Sequence, residues 1–325
     1  MNQYGQFLIA LKKNNLKVLT TLLRIFIGIA LILFLFWRFD FNKILGHVKN
    51  IDITYLLYAL VTYLLFVVIS AWRWQVLLDF KKFGLPFWRT LVIYFIALFA
   101  NNFLPTTVGG DVMRVLYAKR ERKTDALATV LVDRMLGFVG LFVFALFAVL
   151  YLLIEKNQTE FLPFMVIGLA VIVSLTYIFF SERIYALFSP IVQRIQLFRL
   201  GARLNRLHEA ATEFGGAWRT ITVCVVQSVI IQVLLALGPF FVLRGMGNVD
   251  VGLLPFFIYV PIINVLSMIP ISFNATGVRE YFYVLLFSRV GLAGDTSLAV
   301  SLVSFILVVF LSLFGGLAFI LYKRK

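Results

Sequence analysis

A chain of 325 residues that is 62% hydrophobic and only 14% charged, with a mean hydropathy of +0.98, does not have water as its solvent, because soluble domains carry about 45–50% apolar and about 25% charged residues. Its net charge of +15 points to a nucleic acid or a membrane surface; the basic residues sit in short stretches between apolar runs, with no aromatic-interleaved basic platform, so the membrane is favoured. The single Cys224 excludes an intrachain disulfide, and His47 and His208, far apart and without thiols nearby, argue against a zinc site.

Apolar runs at 25–37, 55–71, 136–154, 164–180, 221–242 and 298–322 reach or approach the roughly 20 residues that a bilayer-crossing helix needs. The first follows Lys12, Lys13 and Lys17 as a signal peptide would. It runs on to Trp37 without a small-residue cleavage site, so it reads as an uncleaved first helix.

Charge counting orients the spans. With the N-terminus inside, two crossings return the chain to the cytoplasm at Arg73, and the loop of Arg73, Lys81, Lys82 and Arg89 agrees. Beyond the apolar stretch 91–104 lies a second basic loop with Arg114, Lys119, Arg120, Arg122 and Lys123. Both loops are cytoplasmic only if 91–104 enters the membrane and comes back. That stretch ends in Asn101-Asn102-Phe103-Leu104-Pro105, and non-helical backbone at membrane depth is tolerated where protein or a wet cavity surrounds it. Next, 127–154 goes out and 163–180 comes in, to a segment with Arg183, Arg194, Arg199, Arg203, Arg206 and Arg219. Then 221–242 goes out, 253–288 carries breakers at Pro255, Pro261 and Pro270, and 298–322 returns to Lys323-Arg324-Lys325. This path places 22 of the 30 lysines and arginines inside and six outside. A single full crossing at 86–104 would destroy that bias.

The sequence therefore reads as one all-α polytopic transmembrane domain over 1–325, with six full spans plus two re-entrant broken helices in an inverted-repeat arrangement. The first half covers 19–154 and the second 161–322. The second includes a cytoplasmic linker at 181–216, where Ile184, Leu187, Ile191, Ile195 and Phe198 recur at helical spacing beside arginines, as in an amphipathic helix lying on headgroups. Both termini are expected in the cytoplasm and the chain in the cell membrane. Inverted halves whose broken helices meet near the midplane are the architecture of many secondary transporters.

Three clusters place charge where it costs about 2.5–3.5 kcal/mol or more per residue. In Asn101–Arg114, Pro105 stops a helix, Gly109 and Gly110 free the backbone, and Asp111 and Arg114 share a face of the following helix; its N-terminal amides can hold a phosphate, or Asp111 can simply cap it. Asp133 and Arg134 lie about two turns inside the span 127–154. In 270–280, Pro270, Asn274 and Gly277 again precede a charged pair, Arg279 and Glu280. One interpretation makes all three structural ion pairs and caps. The other has Arg114, Arg134 and Arg279 line a polar path and pair with a lipid phosphate, with Asp111, Asp133 and Glu280 holding them when the site is empty or meeting a cationic headgroup.

Asn102, Pro105, Gly109-Gly110-Asp111, Arg114, the Val132-Asp133-Arg134 step and Gly277-Val278-Arg279-Glu280 resemble the motifs of the lysylphosphatidylglycerol synthase transmembrane (flippase) domain family. The resemblance spans nearly the whole chain. It implies a multi-helix flippase-like fold, and family members fused to a synthetase domain translocate aminoacylated phosphatidylglycerol. This chain stops at Lys325 and resembles the stand-alone members instead. The family often shows Glu where Asp133 stands here.

Three functions compete: a flippase or scramblase for a phospholipid, glycolipid or polyprenyl-phosphate-linked molecule; an intramembrane lipid-modifying enzyme using Asp111, Asp133 or Glu280 as base; and a non-transporting envelope-assembly scaffold. The transporter is favoured, since the sequence offers no histidine acid/base pair, no nucleophile triad and no metal cluster, and its carboxylates sit beside arginines. No nucleotide-binding motif appears, and no cofactor or enzymatic activity is expected. The expected partner is a membrane lipid with an anionic or zwitterionic headgroup; self-association is left open.

Overall fold

The computed structural model describes residues 22–23, 26–39, 41–103, 109–156, 159, 162–163, 166–171, 174, 208–247, 250–268 and 271–321. The expected linker helix, apart from its last residues, most of the expected span 163–180, and the breakers Pro105 and Pro270 lie outside them. Among the described residues there are ten main helices and no strand. They are α1 (Phe26–Arg38), α2 (Phe41–Lys49), α3 (Ile53–Phe80), α4 (Phe87–Phe103), α5 (Gly109–Ala118), α6 (Lys123–Lys156), α7 (Trp218–Gly245), α8 (Leu254–Leu266), α9 (Val278–Phe287) and α10 (Gly294–Leu321). Four of them, α3, α6, α7 and α10, are long and apolar enough to cross a membrane. At about 1.5 Å per residue a helix of α3's length runs about 42 Å, past the roughly 30 Å hydrocarbon core.

Lipid tails are as apolar as leucine, so such helices associate by close packing of small residues and by polar contacts rather than by hydrophobic drive. The small residues stand at the crossings. Gly140 on α6 abuts Ser228 on α7, Gly238 on α7 abuts the Tyr63 ring on α3, and Gly315 on α10 lies directly on the backbone of Phe95 in α4. The outer faces remain apolar and exposed, as at Leu57, Val61, Phe147, Val226, Ile306 and Phe314. α7 packs along α3 and against α6, α4 is held between α10 and α5, and α8 packs on α6, α7 and α9.

Contacts between connections define two ends of the bundle. At one end, Arg122 donates from Nη1 to the Lys82 carbonyl at 3.2 Å and its guanidinium stacks on Phe83, 4.6 Å from the ring centroid. The turn before α4 therefore touches the turn after α5. Beside them Lys81 Nζ meets Glu213 Oε2 at 2.6 Å, just ahead of α7. At the other end, Asp52 N–H donates to the Gly245 carbonyl at 2.8 Å, joining the start of α3 to the end of α7. There His47 on α2 lies 3.3 Å from Thr296 Oγ1 on α10, and Val251, ahead of α8, shares a core with Val290 and Leu292, which follow α9.

Two loop assignments give way. Arg114 is buried on α5 rather than in a basic loop, and α3 continues to Phe80, with Arg73 buried on it. The residues after it, Trp74, Val76, Leu77 and Leu78, are apolar and three of them are fully buried, so burial carries the helix past the charge.

Candidate functional site

α3, α5, α6 and α7 converge on a buried ion cluster. Asp133 on α6 is at its centre, 2% exposed. Its Oδ1 accepts from Arg73 Nε at 2.7 Å and its Oδ2 from Arg114 Nη2 at 2.8 Å. Asp111, in the first turn of α5, lies 3.7 Å from Arg114 Nη1 and takes Arg134 on its other oxygen. Arg73 also donates to Ser228 Oγ on α7 at 2.8 Å. Arg114 is sandwiched between the rings of Trp74 and Tyr94, at 4.4 and 5.2 Å from their centroids, and Trp74 is fixed by a 3.1 Å hydrogen bond to Thr129. Such cation–π contacts are worth about 2 kcal/mol when desolvated, which offsets part of the cost of burying the guanidinium.

Among the described residues, three guanidiniums share two carboxylates. The cluster lines a cavity of about 370 Å³ together with Asn101, Gln232 and Asn264. Arg134 has the most exposed side chain of the cluster at 37%, and Arg114 Nε is buried without a hydrogen-bond partner. Arg73 lies seven residues inside α3 and Asp133 ten residues inside α6, so at about 1.5 Å per residue the cluster sits about 10–15 Å in from one end of the bundle.

A second polar site lies about as far from the other end, as the positions of Tyr63 on α3 and Ser301 on α10 show. Here Glu280 is wholly buried. Its Oε2 accepts from the Gly277 N–H at 2.6 Å, capping α9, and its Oε1 accepts from Arg279 Nε at 3.0 Å and Ser301 Oγ at 3.3 Å. Arg279 lies over the Phe305 ring, 4.5 Å from its centroid, and lines a cavity of about 190 Å³ with Tyr63, Asn102 and Asn274. The preceding turn passes through left-handed backbone at Asn274 (φ 50°), Ala275 (φ 55°) and Gly277 (φ 82°). Asparagine tolerates that region, and the turn delivers Asn274 Nδ2 to Asn102 Oδ1 at 3.3 Å. The two interrupted segments, 172 residues apart in sequence, thus touch through their asparagines, and the two cavities share Leu235 and Asn264 as walls.

The family model for the lysylphosphatidylglycerol synthase TM region matches residues 21–316. The chain belongs to that family. Among curated sequences it is similar to a UPF0104 membrane protein of Pyrococcus horikoshii, 29% identical over 184 residues, a match that spans about half of each protein, 54% of this chain and 55% of the relative. A UPF0104 membrane protein of Methanothermobacter thermautotrophicus is 24% identical over 312 residues, 87% of this chain and 88% of the relative. No solved structure matches.

The family motifs meet in space, with partners that differ from those expected. Asp133 and Arg134 are not a pair, because neighbours on a helix point about 100° apart; Asp133 takes Arg73 and Arg114, and Arg134 takes Asp111. The expected Asp111–Arg114 and Arg279–Glu280 contacts are present. Gly109 and Gly110 open α5, but the Gly110 N–H donates to Asn101 Oδ1 at 2.8 Å, so this amide is not offered to a phosphate. A Cβ on Gly110 would strike Ala97 and Asn101, so the glycine serves close packing of α5 on α4. Four residues were missed from the sequence: Arg73, Gln232, Asn264 and Tyr63. The signal for Arg73 was the apolar run continuing beyond it; the other three are ordinary polar residues within spans.

Proposed function

We propose that the protein moves a phosphate-bearing lipid between leaflets, with the cluster of Arg73, Asp111, Arg114, Asp133 and Arg134 as the headgroup site. The carrying observation is the set of three guanidiniums that share two carboxylates, among the described residues, along a 370 Å³ cavity inside an apolar helix bundle. Holding three guanidiniums on two carboxylates inside an apolar bundle is costly, and a lipid phosphate entering beside Arg134 adds negative charge with the bidentate geometry that guanidinium favours. Arg134, the most exposed guanidinium, makes first contact, and Arg114 follows through its unpartnered Nε. An apolar cleft of about 590 Å³ between α3, α4 and α10 is lined by Trp88, Val92, Phe95 and Phe314. α4 thus presents Tyr94 to the polar cavity and its neighbour Phe95 to the apolar one, a division that suits a headgroup and its acyl chain.

In this reading α4 and α5 form one re-entrant pair and α8 and α9 the other, entering from opposite faces within an inverted repeat of six spans. The contact of Arg122 with the Lys82 carbonyl supports the first, and the shared core of Val251 with Val290 and Leu292 supports the second. The end bearing Lys81, Lys82 and Lys119 is cytoplasmic by the positive-inside rule.

The test is reconstitution into liposomes with a headgroup-labelled fluorescent phosphatidylglycerol, whose inward-facing fraction is quenched from outside only after it flips. Arg134→Gln removes a charge-assisted contact worth about 1.5–3 kcal/mol and slows quenching at least about tenfold. A rate equal to that of protein-free vesicles, or an unchanged rate in Arg134→Gln, refutes the assignment.

A further inference from the structure

Read together, the two adjoining cavities specify the chemistry of the headgroup more narrowly than the arginine cluster does. Every carboxylate oxygen in or behind them is already engaged. Asp133 gives one oxygen to Arg73 and one to Arg114. Asp111 is shared between Arg114 and Arg134. Glu280 is taken by Gly277, Arg279 and Ser301. An ammonium entering either space would meet guanidiniums and find no carboxylate of its own, a like-charge arrangement with no compensating contact.

The remaining polar wall is uncharged. Gln232, 7% exposed, faces the larger cavity with its Oε1 unpartnered. Asn102 faces the smaller one with its Nδ2 lacking an acceptor. Asn264 borders both, and Tyr63 and Ser301 add hydroxyls to the smaller. Buried amide groups without partners are uncommon in folded proteins and call for a ligand or water. A carboxamide offers a donor and an acceptor side by side, which is the complement of a hydroxyl that both gives and takes a hydrogen bond. The smaller cavity, about 190 Å³, has room for one ring-sized group, with its polar side chains set among the apolar Leu235, Val260 and Val308.

We propose, on the basis of the transporter reading above, that the headgroup is a phosphate ester of a neutral polyhydroxyl group, a sugar or an inositol. The phosphate lies at Arg134 and Arg114, and the hydroxylated ring passes Asn264 into the space bounded by Asn102, Tyr63 and Arg279. Headgroups carrying an ammonium are excluded. This sets the chain apart from the aminoacylated lipid in its family's name.

The experiment uses the full chain in liposomes with labelled phosphatidylinositol, a polyprenyl-phosphate hexose, phosphatidic acid and phosphatidylethanolamine. Phosphatidylinositol or the polyprenyl-phosphate hexose moves at least about tenfold faster than phosphatidylethanolamine, the ratio set by one or two hydrogen bonds and a like-charge contact; whichever of the two is faster identifies the anchor as diacyl or polyprenyl. Gln232→Met lowers the ratio of phosphatidylinositol to phosphatidic acid transport by about three- to tenfold, the worth of one hydrogen bond. Native mass spectrometry of the detergent-solubilised protein, titrated with the same lipids, reads headgroup preference without transport. Equal retention of phosphatidylethanolamine and both hydroxylated lipids overturns the inference, even where Arg134→Gln shows that transport is real. Selective retention of a hydroxylated lipid with no transport of any lipid sustains the headgroup assignment and removes the transporter reading.

Discussion

Replacing Asp133 with Asn keeps the shape of the side chain and removes the negative charge that two buried guanidiniums share. Arg73 and Arg114 contact its two oxygens at 2.7 and 2.8 Å and have side chains 8% and 5% exposed, so neither can turn to water. The cluster then holds three guanidiniums against Asp111 alone. Removing one partner of a buried ion pair costs about 3–5 kcal/mol. The Trp74 and Tyr94 rings retain part of the Arg114 interaction, so the lower figure is expected. At about 2 °C per kcal/mol for a chain of this size, the apparent Tm falls by about 6 °C or more. Cys224 reports the change, since it is the only cysteine, fully buried, and its Sγ lies 3.8 Å from the Arg73 carbonyl. A thiol-reactive fluorophore therefore stays dark until the α3–α7 contact opens. Adding Arg73→Gln to Asp133→Asn removes one unpaired cation and recovers stability relative to the single variant. A Tm within 2 °C of wild type for Asp133→Asn, or no recovery in the double variant, refutes the view of Asp133 as the counterion that makes the cluster tolerable.

Three further outcomes follow from the geometry. In a Cys224→Ala background, cysteines at the exposed positions Lys82 and Lys119 label from the same side of intact cells, and cysteines at the exposed Asp250 and Arg289 from the opposite side; Lys82 and Lys119 in different compartments would remove the re-entrant reading of α4 and α5. Gly110→Ala places a Cβ 2.6 Å from the Asn101 side chain and against the Ala97 carbonyl, and overpacking of this kind costs about 1–3 kcal/mol, read as a lower Tm in the same fluorophore assay. Gly277→Ala combines a strained φ of 82° with a clash against Leu31 and releases the turn that positions Asn274, so headgroup-dependent transport falls more than Tm does.

Four of the expected spans were legible, because apolar length is a collective signal that survives a single exception. α7 and α10 fall within a few residues of the apolar runs 221–242 and 298–322, whereas α3 runs on to Phe80, past the end of 55–71, and the two basic stretches touch at Lys82 and Arg122. Pairing inside the cluster was not legible. A sequence shows that Asp133 and Arg134 are adjacent, whereas partner choice depends on which face of α6 meets α3 and α5, and on the close approach of α6 to α7 where Gly140 meets Ser228. Arg73 was hidden by the rule that exposed the rest, since counting it as a loop charge improves the inside bias by one residue while burying it leaves the bias intact. The residues beyond Arg73 carried the contrary information: Trp74, Leu77 and Leu78 have no reason to follow a loop boundary, and each is fully buried.

The two polar sites also explain why the charged motifs are spread over distant segments. A guanidinium about 10–15 Å inside an apolar bundle needs a counterion from another helix, because an acid beside it on the same helix points elsewhere; Asp133 meets that need for α3 and α5, and Asp111 for α6. Glu280 is the exception, with a cation next to it in sequence, and there the geometry is rescued by the turn at Gly277, whose N–H occupies the second oxygen. The first site is therefore tied across four elements and the second within one turn and α10. A headgroup that binds Arg134 while it stays on Asp111 acts on contacts between helices, whereas one that engages Arg279 leaves the Glu280 cap in place. Under the proposed transport, movement starts at the larger cavity, and Asn102, bonded to Asn274, together with Leu235 and Asn264, which border both cavities, links it to the other.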